Sequence, residues 1–475
     1  MTDLGELSAL QTAEAIRSGQ VSAVEVTEAA LRRADVLDAA VGAFTVLAPE
    51  LALAEARAID QRVRDGSATD RPLAGVPCPI KDLNPVAGIG FEAGSAALRG
   101  NRAEVDDGIV EWLRAAGTVM LGKTATPEFG LPCYTEPDGR PPARTPWDLR
   151  RSAGGSSGGA AAAVAAGVVP IAQASDGGGS IRIPASACGL VGLKPSRGRI
   201  SPGPLMVPGP GLTTAGVVSR TVADTAAALD VLAGYRTGDI YLAPPPAESF
   251  LAATRRRPRG LRVGVLTRPV IAETRVHPDC LAAVDIAGGL LETVGHYLEE
   301  APVPFGMERW AAFMALWTVG AASIPLDPAA EPLLTPLTRW LRDQGRQVGA
   351  LEHAAALAEL QRLTREVARA WQQFDLVLTP TLAQPPALIG SLRDDHDPAA
   401  DFAAQTRFTP WTSVHNITGL PAISLPLHTA EVDGVRLPFG VMLAGRFGAE
   451  DLLLAVAASL EEAVGGWPRP PAITG

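Results

Sequence analysis

Three short segments of this chain hold the residue types that could do covalent chemistry. The first is Ala74–Gly75–Val76–Pro77–Cys78–Pro79–Ile80–Lys81–Asp82, a lysine closing an apolar, proline-stiffened run. Burial there disfavours the charged ammonium and lowers its pKa, which is how a lysine becomes a base near neutrality. Taken by itself, the segment is explained more simply by a surface lysine paired with Asp82. Yet of 41 basic residues only Lys81, Lys123 and Lys194 are lysines. Arginine serves wherever a positive charge suffices, so each retained lysine is a candidate for the one thing arginine cannot do, losing its proton.

The second segment is Gly154–Gly155–Ser156–Ser157–Gly158–Gly159, which runs straight into a helix predicted over Ala160–Ala166. A flexible linker has this composition, but a linker does not usually open a helix. Glycines ahead of a helix let backbone N–H groups approach a ligand where the helix dipole favours negative charge. Gly154-x-Ser156-x-Gly158 also matches the nucleophile elbow of α/β-hydrolases, which requires a strand directly before it. Pro141–Arg151 is too rich in proline and arginine to be that strand. No Gly-Lys-Ser/Thr follows, so a phosphate-binding P-loop fails as well.

The third segment is Ser175–Asp176–Gly177–Gly178–Gly179–Ser180–Ile181–Arg182–Ile183–Pro184. The glycines let the N–H groups of Gly177, Gly178, Gly179 and Ser180 converge on one small space, as a developing oxyanion requires. A tight turn capped by Ser180 accounts for the glycines equally well. It leaves unexplained Asp176 and Arg182, which are placed to pair and hold the loop.

The elements that must position these residues can be read coarsely. Residues 7–40 are predicted as two helices, the second capped by Ser22 with Glu25 completing a capping box. An amphipathic helix follows over Pro49–Arg64. Strands are expected at Leu73–Ile80, Val119–Leu121 and Val168–Ala172, a helix at Gly108–Ala116, and a turn at Pro184. Further strands are expected at Leu261–Leu266, Asp375–Thr381 and Pro421–Pro426. Residues 280–300 and 308–373 read as largely helical, and a last helix spans Glu450–Val464. Short buried strands alternating with helices imply an α/β fold with a mixed, mostly parallel sheet.

Composition bounds the function. Hydrophobic residues form 47% of the 475 and charged residues 19%, ample for a large core. The net charge of -10 argues against nucleic acid or an anionic membrane as partner. Cys78, Cys133, Cys188 and Cys280 show no CxxC pair and read as reduced, buried residues. The histidines lie singly, so no metal site is expected. Met1–Ala9 carries Asp3 and Glu6 and lacks a basic region followed by an apolar run, so no secretory signal is expected. Gly159–Ala174 is too short and too rich in glycine and alanine to span a membrane. A cytoplasmic protein is the expectation. Trp310, Trp317 and Trp340 read as core.

Together, GGSSGG before an alanine-rich helix, SDGGGSIRIPA and CGLVGLKPSRGRISPGP resemble the amidase signature family. The order and spacings, 75 residues from Lys81 to Ser156 and 24 from Ser156 to Ser180, are similar to that family's. The likeness extends through GLPAISLP and FGVMLAGRFGAEDLLLAVA. Within the family, LVGLKPSRGRISPGPL through LRVGVLT is similar to 6-aminohexanoate cyclic-dimer hydrolases, bacterial aryl-acylamidases and urethanases. The resemblance implies a single three-layer α/β/α domain over 1–475. Its parts are N-terminal helices (1–70), catalytic motifs (71–235), a helical substrate-side portion (236–400) and a return to the sheet (401–475).

It further implies a cofactor-free serine hydrolase that cleaves the C–N bond of an amide or a carbamate, as a monomer or homodimer. Ser180 would be the nucleophile, Ser156 a proton relay after a cis peptide bond, and Lys81 the base. The backbone of Gly177, Gly178, Gly179 and Ser180 would form the oxyanion hole, with Ser157, Asp176 and Arg182 in support, and Asn416 and Thr418 would border the cleft. The alternatives are the glutamine-hydrolysing A subunit of a tRNA-dependent amidotransferase, a cyclic-amide hydrolase and a non-catalytic scaffold. The chain departs from the family pattern at Gly177, Ser175 and Ala160, where threonine or isoleucine, threonine and serine are usual. Gly177 is expected to leave room for bulky or aryl-bearing substrates.

Overall fold

The computed structural model describes residues 4–67 and 71–473. Asp3, on which the expectation of no secretory signal partly rests, lies outside them. The chain begins with helices that start where their caps dictate. Ser8 and Ser22 accept from the backbone N–H groups of Gln11 and Glu25, whose side chains return the bond, over Ala9–Arg17 and Ala23–Val41. The third helix, Pro49–Arg64, opens on its proline as predicted.

Between the second and third helices lies Phe44–Leu47 (β1). A small sheet joins it to Ile80–Lys81 (β2) and Gly122–Thr124 (β3), in the order β1-β3-β2. The strand expected over Leu73–Ile80 thus shrinks to its last residue plus Lys81. Pro77 and Pro79 can donate no ladder hydrogen bond. The strand expected at Val119–Leu121 begins later for the same reason, and Val119 pairs only in an isolated bridge with Pro77.

The main sheet contains Ile171–Asp176 (β4), Val191–Lys194 (β5), Thr214–Ser219 (β6), Arg262–Val265 (β7), Tyr297–Glu300 (β8), Leu376–Pro380 (β9), Ala422–Val432 (β10) and Val435–Gly445 (β11). Their order is β4-β6-β5-β10-β11-β9-β7-β8. Side-chain alternation along these strands feeds two different cores. Leu376, Leu378, Ile423, Leu425, Val441 and Leu443 pack with apolar residues of the helices Val222–Leu232, Pro278–Thr293 and Glu450–Ala463. Val377, Ala422, Met442 and Ala444 pack instead with those of Ala311–Ala322 and Ala350–Ala370. Helices therefore cover both faces of a large mixed sheet, the α/β fold expected.

Strand direction differs from expectation. In the main sheet β9 with β7 and β7 with β8 pair in parallel, whereas the other neighbours pair antiparallel. The helix Arg182–Cys188 does join two like-directed strands, β4 and β5, but β6 returns between them. β10 and β11 form a hairpin turning at Asp433 and Gly434, both with positive φ. Hydrophobic runs carry no direction, which is why alternation with helices overcounted parallel pairs.

Three further boundaries move. β4 begins at Ile171 rather than Val168 and runs to Asp176. Pro184 sits third in the helix Arg182–Cys188 instead of in a turn, where a missing N–H costs no intrahelical bond. Tyr297–Glu300, within a stretch read as helical, is the edge strand β8. Among the described residues, no helix is long and apolar enough to cross a membrane.

Candidate active site

Four local features bring the three segments together. β2 ends on Lys81, the glycine–serine turn carries Ser156 into the helix Gly158–Ala165, β4 ends on Ser175 and Asp176, and the next turn carries Ser180. Lys81 is fully buried, and its Nζ lies 2.8 Å from Ser156 Oγ and 3.1 Å from Ser175 Oγ. Its backbone N–H is fixed by Gln173 Oε1 at 2.9 Å. Burial pushes the Lys81 ammonium down to about 7, with the Asp176 charge opposing that fall. Asp82 does not pair with Lys81. It holds Lys123 at 2.8 Å, both groups fully buried, so the surface-lysine explanation fails. Lys194 is buried as well.

The Gly155–Ser156 peptide bond is cis. The glycines here serve close packing and not flexibility. A Cβ at Gly155 would stand 2.7 Å from Tyr134 N, and one at Gly159 would stand 2.4 Å from Ala125 N and Ala43 O. Ser157 Oγ donates to Ser175 O at 3.2 Å and accepts from Ser175 N at 3.3 Å, while its own N–H reaches Ser180 O at 3.3 Å. Ser157 therefore ties the Ser156 turn to the Ser180 turn.

Asp176 and Arg182 pair as expected, at 2.9 Å and fully buried. Burial alone would push the Asp176 carboxyl up, but the Arg182 guanidinium, with Asn416 and Lys194, outweighs it and holds the carboxyl below the usual carboxylate range. Asp176 Oδ2 also accepts from Ile181 N at 3.1 Å. Arg182 reaches Thr412 O and Asn416 Oδ1, both at 2.8 Å. Asn416 Nδ2 returns to Asp176 Oδ1 at 2.9 Å. This clamp leaves the loop above it with its donors turned away from protein partners. Among the described residues, none of the backbone N–H groups of Gly177, Gly178, Gly179 and Ser180 donates to a protein acceptor. Gly179 has φ +140°, and a Cβ there would stand 2.6 Å from Ile183 Cδ1 and Thr412 Oγ1.

Two cavities meet at Ser180. One, of about 200 Å³, is lined by Ser156, Ser175, Gly177 and Ser180 among others. The second, of about 50 Å³, is lined by Gly178, Ser180, Trp310, Phe313 and Phe402 among others. Trp317 lines both. Trp310 and Trp317 pack against the core as expected and also wall the cavities, whereas Trp340 packs against the core and lines neither cavity. The room expected beside Gly177 is already taken. A Cβ there would meet Thr213 Oγ1 at 2.9 Å and the Trp317 ring at 3.2 Å. Asn416 sits under the loop, but Thr418 lines a separate groove.

Sequence reasoning passed over Gln173, Thr412 and the role of Ser175. Their partners lie in other segments, and no local sequence pattern signals them. Cys78, Cys133, Cys188 and Cys280 are buried and free. Among the described residues, no group of three or more His, Cys, Asp and Glu side chains could hold a metal ion.

A fully buried lysine thus lies against a serine hydroxyl, beside a loop whose N–H groups have no protein acceptor among the described residues. The chain belongs to the Amidase family, the amidase signature enzymes, whose family model matches residues 25–454. It is 36% identical over 481 residues to the 6-aminohexanoate-cyclic-dimer hydrolase of Paenarthrobacter ureafaciens, covering 97% of this chain and 95% of that protein. A solved 6-aminohexanoate cyclic dimer hydrolase complexed with substrate superposes with a TM-score of 0.91 at 34% identity, covering all of both chains. A bacterial aryl acylamidase of the same family superposes at 0.85 with 26% identity over 96% of each chain. The protein is accordingly an amidohydrolase acting on C–N bonds.

Proposed function

We propose that the chain cleaves an amide or carbamate through an acyl-enzyme on Ser180, with Ser156 and Lys81 as proton relay and base. The observation that carries this reading is Lys81: fully buried, its pKa near 7, and 2.8 Å from Ser156 Oγ. Neutral Lys81 takes a proton through Ser156 as Ser180 Oγ attacks the carbonyl carbon. The N–H groups from Gly177 to Ser180 then face the developing oxyanion. Ser156 returns the proton to the leaving nitrogen, the C–N bond breaks, and water hydrolyses the acyl-serine by the reverse relay. A carbamate follows the same course and yields alcohol, amine and carbon dioxide.

The reading is of a free-standing cytoplasmic enzyme, monomeric or homodimeric, needing no cofactor, nucleic acid or membrane. A cyclic amide is the second substrate reading, favoured by 36% identity to cyclic-dimer hydrolases. The test is hydrolysis by the purified chain of a panel of anilides, linear and cyclic aliphatic amides, carbamates and glutamine, with Ser180→Ala as control. Turnover of anilides, amides or carbamates that Ser180→Ala abolishes supports the reading. Glutaminase activity that appears only with a partner protein overturns it.

A further inference from the structure

We propose that the smaller cavity is the acyl subsite and is built for a single apolar ring, while the amine side of the substrate occupies the larger one. The inference rests on the hydrolase reading above and adds to it the chemistry and orientation of the substrate.

Orientation follows from which serine lines which space. Ser180 lines both cavities, but Ser156 lines only the one of about 200 Å³. The proton for the leaving nitrogen comes from Ser156 Oγ, so the nitrogen and its substituent lie on that side. The acyl substituent is left with the slot of about 50 Å³. At roughly 10–15 Å³ for each water-sized sphere, that slot accepts one slim ring and no fused or heavily branched group.

The chemistry of the slot follows from its walls. Trp310, Phe313 and Trp317 form a stacked row, with centroids 5.1 and 5.4 Å apart and planes tilted by 18°. Phe402 continues it at 6.3 Å from Trp310. Most polar side chains among the lining residues are already engaged with the protein, while Trp317 Nε1 is buried without a protein acceptor. Gln405 accepts from Cys133 N and donates to Asp401. Thr406 donates to Phe402 O, Thr409 to Gln405 O, and Ser413 Oγ accepts from Trp310 Nε1. What remains is aromatic surface with a single indole N–H, which recognises a flat apolar group and offers no charged partner to the polar end of glutamine or an ω-amino acid.

A matched pair of 4-nitroanilides tests this, phenylacetyl against hexanoyl, since the leaving group is then identical. The wild-type chain is expected to favour the phenylacetyl substrate in kcat/KM by about tenfold, the upper range for one aromatic contact. Phe313→Leu and, as a milder variant, Phe402→Leu should shrink that ratio by raising KM for the phenylacetyl substrate. Hexanoyl turnover should fall less than phenylacetyl turnover in the same variants, which is what shrinks the ratio. Equal wild-type rates on both, abolished by Ser180→Ala, leave the hydrolase reading standing and overturn the slot. So does a ratio unchanged in both variants. No Ser180-dependent release from either anilide overturns the slot, and no Ser180-dependent turnover of any amide or carbamate on the panel overturns the hydrolase reading as well.

Discussion

Replacing Lys81 with methionine should separate catalysis from stability in opposite directions. The side chains are similar in length, but methionine has no proton to bury. In the folded chain Lys81 has a pKa of about 7 against an ordinary 10.5. At about 1.4 kcal/mol per pH unit, holding its charged form in the core costs the native state about 5 kcal/mol below pH 7. Between pH 7 and 10.5 the unfolded lysine is protonated and the native one is not. The unfolded state then binds more protons, and native stability rises with pH across that window. Urea denaturation of wild type and Lys81→Met at pH 7 and pH 9 measures this directly. The wild type should gain about 2–3 kcal/mol relative to the variant between those two values, from two pH units at that slope. Lost hydrogen bonds to Ser156 and Ser175 cost the variant about 1 kcal/mol each at both pH values, so they cancel from the difference. Anilide turnover should fall by at least about a thousandfold. A variant whose stability follows the wild-type pH dependence would refute the claim that Lys81 is neutral in the folded protein.

Other outcomes follow from the same geometry. The wild-type kcat/KM should rise with pH through an inflection near 7 and then level off, because Lys81 must lose its proton to act; a flat profile from pH 5 to 8 contradicts that role. Asp176→Asn leaves Arg182 buried and charged without its counterion, so the chain should lose about 3–5 kcal/mol in denaturant titration along with its activity. Gly179→Ala places a Cβ against Ile183 and Thr412 at φ +140°, and kcat should drop by about a hundredfold or more, the cost of displacing an oxyanion donor in the proposed mechanism.

The parts of the site legible in the sequence were the local ones. Asp176 and Arg182 are six residues apart on one turn, and their pairing could be read from charge and spacing. Lys81 stood out through the scarcity of lysine and the prolines before it, yet its freedom depends on Lys123 occupying Asp82, a contact 41 residues away. Asn416 joins the clamp from 234 residues beyond Arg182, and no local pattern encodes that. That Trp317 also walls the cavities could not be read, because helical periodicity shows which face is apolar and not what that face meets. The helices with explicit caps fell where their serines put them. The short strands moved by several residues, since proline and neighbouring strands, not propensity, decide which backbone groups pair.

The central claim is that the acyl group is carried by Ser180. Quenching the enzyme in acid during turnover of a slow anilide or carbamate, then mapping the peptides by mass spectrometry, reads that bond directly. The acyl mass is expected on the peptide containing Ser180 and absent from Ser180→Ala. An acyl group on Ser156, or turnover undiminished in Ser180→Ala, would contradict it.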